Sequence, residues 1–210
     1  MRAEEFSKVR LLTPKGPLIG PLVMVAFAVD ESIKIPSGVK DSKELSAKQR
    51  EAFYEELIKL PHAIRVVDPS EIDAAVAHNN LNWLEAEHTA SLINELQPTR
   101  AVVDCPSRNL QAYAEFLRER CPGVEVHVQF KADQEHPVVA AASIIAKVVR
   151  DRLVKELHEL AGFDFGSGYL TDPKTQDFLN NHFDKDFSGY RKSWKPYKKR
   201  VSDSEQNKLF

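Results

Sequence analysis

The chain has 210 residues, 42% of them hydrophobic, which suffices for one well-buried core with a small appendage but not for two large domains. Its 29 Lys and Arg against 31 Asp and Glu leave a net charge of -2, so a nucleic-acid partner has to be held by local patches rather than by a global field. No apolar run approaches the roughly 18 residues of a membrane span, and the polar, charged start is no signal peptide, so a cytoplasmic protein without membrane contact is expected.

The first strong element is Gly20 to Val29 (GPLVMVAFAV), an almost continuous apolar run that suits a strand buried on both faces. Ser46 and Gln49 form a capping-box pattern ahead of a helix over Ala47 to Leu60. Further strands are predicted at Ala63 to Val67, Ala101 to Asp104 and Val124 to Phe130. Helical text covers Glu71 to Ala77, Leu81 to Leu96, Leu110 to Arg120 and Pro137 to Leu160. Within the last of these, Val138 to Val149 is apolar almost all round, which predicts a helix through the middle of the protein. Asp172-Pro173 then caps a short separate helix, Pro173 to Phe183. Strands alternating with helices give an α/β fold built on a mixed sheet of about five strands. Cys105 and Cys121 have no metal-ligand spacing and are taken as reduced thiols.

Asp104 ends an apolar strand, and Asp133 stands just before the buried helix. Carboxylates at neighbouring element ends are where an α/β sheet collects a site, and such oxygen ligands suit Mg²⁺ or Mn²⁺. On their own, however, a strand-ending turn residue and a helix cap account for both better than a site does. The surrounding text carries more. Gly16 to Val23 (GPLIGPLV), Val39 to Leu45 (VKDSKEL), Leu81 to Glu87 (LNWLEAE), Lys131 to Asp133 with Pro137 to Asp151, and Gly166 to Pro173 (GSGYLTDP) occur in an order and at distances that resemble ribonuclease HII, in its archaeal form.

The resemblance spans residues 16 to about 198 and implies a ribonuclease H-like catalytic-type domain over 1–162. It also implies a C-terminal helical hybrid-binding extension over 163–200; the residues after it, 201–210, read by themselves as a flexible tail. The activity implied is an endonuclease of DNA replication and repair. It hydrolyses the RNA strand of RNA–DNA hybrids and nicks DNA at embedded ribonucleotides by a two-metal mechanism, with the protein acting as a monomer. By resemblance, Asp104 and Asp133 are the third and fourth acidic metal ligands. Tyr169 stacks on the sugar whose 2′-hydroxyl is read, and Lys15, Gly16 and Lys43 contact substrate. The 2′-hydroxyl is the group that separates RNA from DNA at such a position.

One departure stands out. The family carries an aspartate and a glutamate on its first strand, directly before the Gly-rich segment, but here Leu11 and Leu12 occupy those positions, with Pro14-Lys15-Gly16 in place of Gly-Arg-Gly. Leucine offers a hard cation no lone pair. Asp30 and Glu31, about ten residues further along the next strand, are expected at the opposite end of the sheet and do not replace the pair. Either the chain is an impaired or silent relative that still binds hybrid, or its start is wrongly specified.

Arg191 to Arg200 (RKSWKPYKKR) interleaves basic and aromatic residues in the manner of a phosphate-tracking surface. Gln206, Leu209 and Phe210 resemble the beginning of a sliding-clamp-binding tail.

Overall fold

The computed structural model describes residues 6–10 (backbone only), 16–30, 32–78, 80–130, 132 and 136–207. Five strands form one sheet: β1 (Phe6–Arg10), β2 (Leu22–Val29), β3 (His62–Val67), β4 (Arg100–Asp104) and β5 (Glu125–Gln129), in the order β3-β2-β1-β4-β5. β1 runs antiparallel to β2 and parallel to β4, and β4 is parallel to β5. As its apolar run requires, β2 is buried along almost its whole length. β1 escapes the pattern analysis because FSKVR carries only two apolar residues, although its place is the middle of the sheet. Here position in the fold overrides local hydrophobicity.

Register decides what the sheet can build. Phe6 pairs with Val29 and Arg10 with Val25, while Val9 lies opposite Val103. Because Val9 and Val103 pair in parallel, the end of β1 and the end of β4 lie at the same end of the sheet. Asp30 follows Val29 past the other end. Its carboxylate accepts hydrogen bonds from the Ser32 amide at 2.8 Å and the Ile33 amide at 3.1 Å, closing a local turn. As the spacing predicts, it is unavailable to a site at Asp104.

The helices are α1 (Ala47–Leu57), α2 (Pro69–Ala77), α3 (Leu81–Leu96), α4 (Leu110–Arg120), α5 (Pro137–Ala161), α6 (Pro173–His182) and α7 (Lys195–Asn207). The Ser46–Gln49 capping box forms, and Asp172 caps α6. In α5, Val139 to Ala142 with Ile144 and Ile145 are wholly buried, the environment an all-round apolar helix demands.

The chain divides into two compact units. One holds β1, 23–66 and 82–149, including the sheet; the other is assembled from 16–22, 67–81 and 150–207, rather than beginning after residue 162. The second unit's core is aromatic: Phe165, Phe178, Phe187 and Tyr190 pack with Leu18, Ile19, Val154 and Leu179. Phe178 meets Phe165 at 5.4 Å and Phe187 at 5.5 Å between ring centroids. Large rings give a small unit the buried area it needs.

The expected tail from residue 201 is corrected as well, because α7 continues to Asn207. Pro196 suits its first turn, the Tyr197 hydroxyl donates to the Phe183 carbonyl at 3.0 Å, and Arg200 donates to the Asn180 carbonyl at 2.9 Å. Both cysteines are free and buried. Among the described residues no helix is long and apolar enough to cross a membrane.

Candidate functional site

In the sheet-bearing unit, Asp104 is 8% exposed, and its Oδ1 accepts a hydrogen bond from the Ala132 amide at 3.2 Å. That contact brings the β4 end and the residue preceding Asp133 in sequence together; Asp133 itself, with Leu11, Leu12 and Lys15, lies outside the described residues. Glu85, within the LNWLEAE segment, is also buried. Burial first, and then the Asp104 and Glu85 carboxylates, push the Cys105 thiol up to about 11 and the Tyr113 phenol well above its usual range. Hard oxygen is what a divalent cation requires. Asp104 fits that role, whereas the leucines at 11 and 12 supply no donor. Among the described residues, no three His, Cys, Asp or Glu side chains are grouped to hold a metal ion.

Lys43 belongs to the same unit and is exposed on the 3₁₀ turn Ser42–Glu44. Ser42 Oγ and Ser143 Oγ of α5 are 2.7 Å apart, and Arg50 donates to the Ser42 carbonyl at 3.0 Å, so the turn is fixed while the lysine stays in solvent.

The second unit contains the GSGY loop. Gly166 and Gly168 have φ of +73° and +78°, the left-handed region that favours glycine. A Cβ on Gly168 would lie 2.5 Å from the Ile19 carbonyl oxygen, and one on Gly166 would run into the Asp172 carboxylate. The Gly168 carbonyl accepts from the Leu18 amide at 2.8 Å and the Ile19 amide at 3.2 Å. The segment opened by Gly16 therefore lies against the loop that carries Tyr169. Asp172 braces the loop from the other side, accepting from the Ser167 amide at 2.7 Å and the Lys174 amide at 3.0 Å. These amide bonds, that of Ser167 above all, hold its carboxyl below the ordinary range.

Two arginines are buried: Arg150, which sequence reasoning missed, and Arg191, which it read as part of the basic surface. Arg150, 1% exposed, donates to the Ser167 carbonyl at 2.5 Å, and its guanidinium carbon is 4.8 Å from the Tyr169 ring centroid. Arg191, 3% exposed, donates through Nε to the Gly20 carbonyl at 3.0 Å. The signal for Arg150 was available: Val139, Ser143, Ala146, Arg150 and Val154 repeat at steps of four and three along one buried helix face.

The basic segment is thereby corrected. Arg191, Tyr197 and Arg200 hold the fold, while Lys192, Lys195, Lys198 and Lys199 remain exposed. Asp73 fixes the turn ahead of α7, accepting from the Lys192 amide at 2.8 Å and the Ser193 amide at 2.9 Å. Lys195, Lys198 and Lys199 fall on one face of α7 by their spacing.

Two solved structures share this fold. Ribonuclease H2 of Pyrococcus horikoshii matches with a TM-score of 0.86 and 33% identity, covering 97% of this chain and 100% of that one. The Archaeoglobus fulgidus ribonuclease HII, solved in complex with PCNA, matches with a TM-score of 0.82 and 37% identity, covering 90% and 95%. Fold and site thus define a ribonuclease with a ribonuclease H-like sheet. The Ribonuclease HII family model matches residues 14–197, and ribonuclease HII of Methanocella arvoryzae is 41% identical over 207 residues, 93% of this chain and 92% of that protein. The chain belongs to the ribonuclease HII family, hydrolases of the RNA strand of RNA–DNA hybrids.

Proposed function

We propose that the protein recognises RNA–DNA hybrids and single ribonucleotides embedded in DNA, and that its chemistry is a cut on the 5′ side of the ribonucleotide leaving a 3′-hydroxyl. The supporting observation is the shared end of the sheet: Val103, directly before Asp104, pairs with Val9 of β1, and the residues two and three beyond Val9 are those at which the family carries its first two acidic ligands. Asp104 and Asp133 are the residues that would hold Mg²⁺ or Mn²⁺. When bound, a pair of such ions supplies an activated water and neutralises the leaving oxygen. The chain's own contributions are binding and orientation. Tyr169 meets the sugar, Gly16 and Lys15 approach the backbone near the cut, and Lys43 and the α7 lysines attract phosphates.

With leucine at positions 11 and 12 the protein as written is a weak or silent nuclease that retains hybrid binding. Gln206, at the end of α7, and Leu209 and Phe210, which lie outside the described residues, are the residues that would meet a sliding clamp of the PCNA kind, the partner of the Archaeoglobus fulgidus relative.

The test is incubation with Mn²⁺ and a duplex holding one ribonucleotide. Little cutting is expected from the chain as written, a 5′ nick from Leu11→Asp with Leu12→Glu, and loss of that gain when Asp104→Asn is added. Recovery is incomplete where Pro14-Lys15 misplaces the backbone, since small displacements cost on the order of a hundredfold in rate. Family-like cutting by the unaltered chain would show that other carboxylates hold the ions.

A further inference from the structure

A guanidinium in the protein interior carries a desolvation cost that has to be offset by its contacts. Arg150 is 1% exposed, and those contacts run along one tripeptide of the GSGY loop. Nη2 donates to the Ser167 carbonyl at 2.5 Å and lies 3.1 Å from where a Gly168 Cβ would be, and the guanidinium carbon stands 4.8 Å from the centroid of the Tyr169 ring. Nη1 reaches Asp151 Oδ1 at 3.4 Å, which anchors the fork to its own helix. Nε is buried and has no hydrogen-bond partner among the described residues, so backbone satisfaction alone does not explain an arginine here. The contacts that remain are the planar face and charge presented to the aromatic ring.

We propose that Arg150 is a positioning residue for ribose recognition: its guanidinium, fixed to the Ser167 carbonyl and packed on Gly168, sets the plane of the Tyr169 ring. It thereby sets the protein's preference for a ribonucleotide over a deoxyribonucleotide. The inference rests on Tyr169 as the sugar-contacting residue. Residue 169 is partly exposed, so one face of its ring is backed by Arg150 while the side chain keeps access to solvent. A lysine at 150 would keep the charge but could not bond the carbonyl and cover the ring with one planar group.

The experiment is a double-mutant cycle on binding, with Ca²⁺ as the sole divalent ion and intact strands confirmed on a gel. Affinity is measured for a duplex with one ribonucleotide and for the all-DNA duplex of the same sequence. Tyr169→Ala removes the ribonucleotide preference. Arg150→Met lowers it by about fivefold, the scale of one partly desolvated cation–π contact, and Arg150→Lys falls between Met and wild type. In the Tyr169→Ala background, Arg150→Met causes no further change in preference, whereas a residue that merely supported the fold would weaken both duplexes equally in either background. Wild-type preference in Arg150→Lys overturns the requirement for a planar group, even where Arg150→Met fails to fold. Preference that depends on Tyr169 but not on Arg150 overturns this inference alone. A wild type without preference, or one indifferent to Tyr169→Ala, overturns the assignment of Tyr169 and this inference with it.

Discussion

Gly168→Ala should be among the most damaging single-methyl additions in the molecule, and Gly123→Ala is its control. Both glycines are left-handed, with φ of +78° and +83°, so each substitution carries the same backbone cost of about 1–2 kcal/mol. They differ in what the methyl meets. Nothing lies within 4 Å of a Cβ at Gly123, whereas at Gly168 it would sit 2.5 Å from the Ile19 carbonyl oxygen. Relief requires the Gly16–Gly20 segment and the GSGY loop to separate. That strains the bonds from Leu18 and Ile19 to the Gly168 carbonyl and the bond from the Gly168 amide to Thr175 Oγ1 at 3.1 Å. Losing two or three of these at roughly 1 kcal/mol each adds about 2–3 kcal/mol. At about 2–4 °C per kcal/mol for a chain of this size, Gly168→Ala should melt roughly 4–12 °C below Gly123→Ala. Scanning calorimetry of the two variants and wild type at neutral pH decides it. Equal melting temperatures for the two variants would refute the argument that the close approach, rather than the dihedral angle, makes glycine necessary.

Replacing Lys198 and Lys199 together by alanine should weaken binding to hybrid and DNA duplex alike and reduce the slope of log affinity against log salt by about 1.8, the value for two lost phosphate contacts. Anisotropy titrations across a salt series measure it, and an unchanged slope removes α7 from the phosphate-binding surface. Asp172 gives a pH signature: its carboxyl is held below its unfolded value by the Ser167 and Lys174 amides, so its stabilisation is complete above about pH 4 and is lost as pH falls through the lower folded value. The melting-temperature gap between wild type and Asp172→Asn should accordingly be widest near neutrality and close below pH 4. A gap independent of pH would mean that the carboxylate charge has no part in bracing the loop.

The strands and helices that follow from local pattern were legible in the sequence: β2 from its apolar run, α1 from its capping box, α6 from Asp172-Pro173. The central strand β1 was not, because FSKVR has neither an apolar run nor a flanking turn signal, and only pairing with β2 and β4 makes it a strand. At the candidate site, Asp104 and the glycines of GSGY stood out as residue types. What supports them did not: Arg191 and Asp73 act through backbone groups far away in the chain, and partners that distant leave no periodicity, while the repeat that marks Arg150 as buried does not say that it meets Ser167. The basic run at 191–200 shows the limit of composition. Half a dozen cations in ten residues look alike in text, but packing commits two of them to carbonyls and leaves the lysines for solvent.

The unit that carries Tyr169 is stitched from three separated stretches of chain, and this governs when it can exist during synthesis. Gly20 and Arg191 are 171 positions apart, yet the arginine's Nε caps the glycine's carbonyl. At about 5–20 residues per second, a ribosome needs roughly 10–30 s to supply the second partner after the first. For most of that interval, until Phe165, Phe178, Phe187 and Tyr190 have followed, Leu18 and Ile19, buried in the finished protein, have no complete aromatic core to enter. The nascent chain therefore has to keep this apolar segment from other surfaces. Nor can the C-terminal third be excised or grafted as a module, because a fragment beginning at residue 150 leaves its own loop without the strand of backbone that closes it.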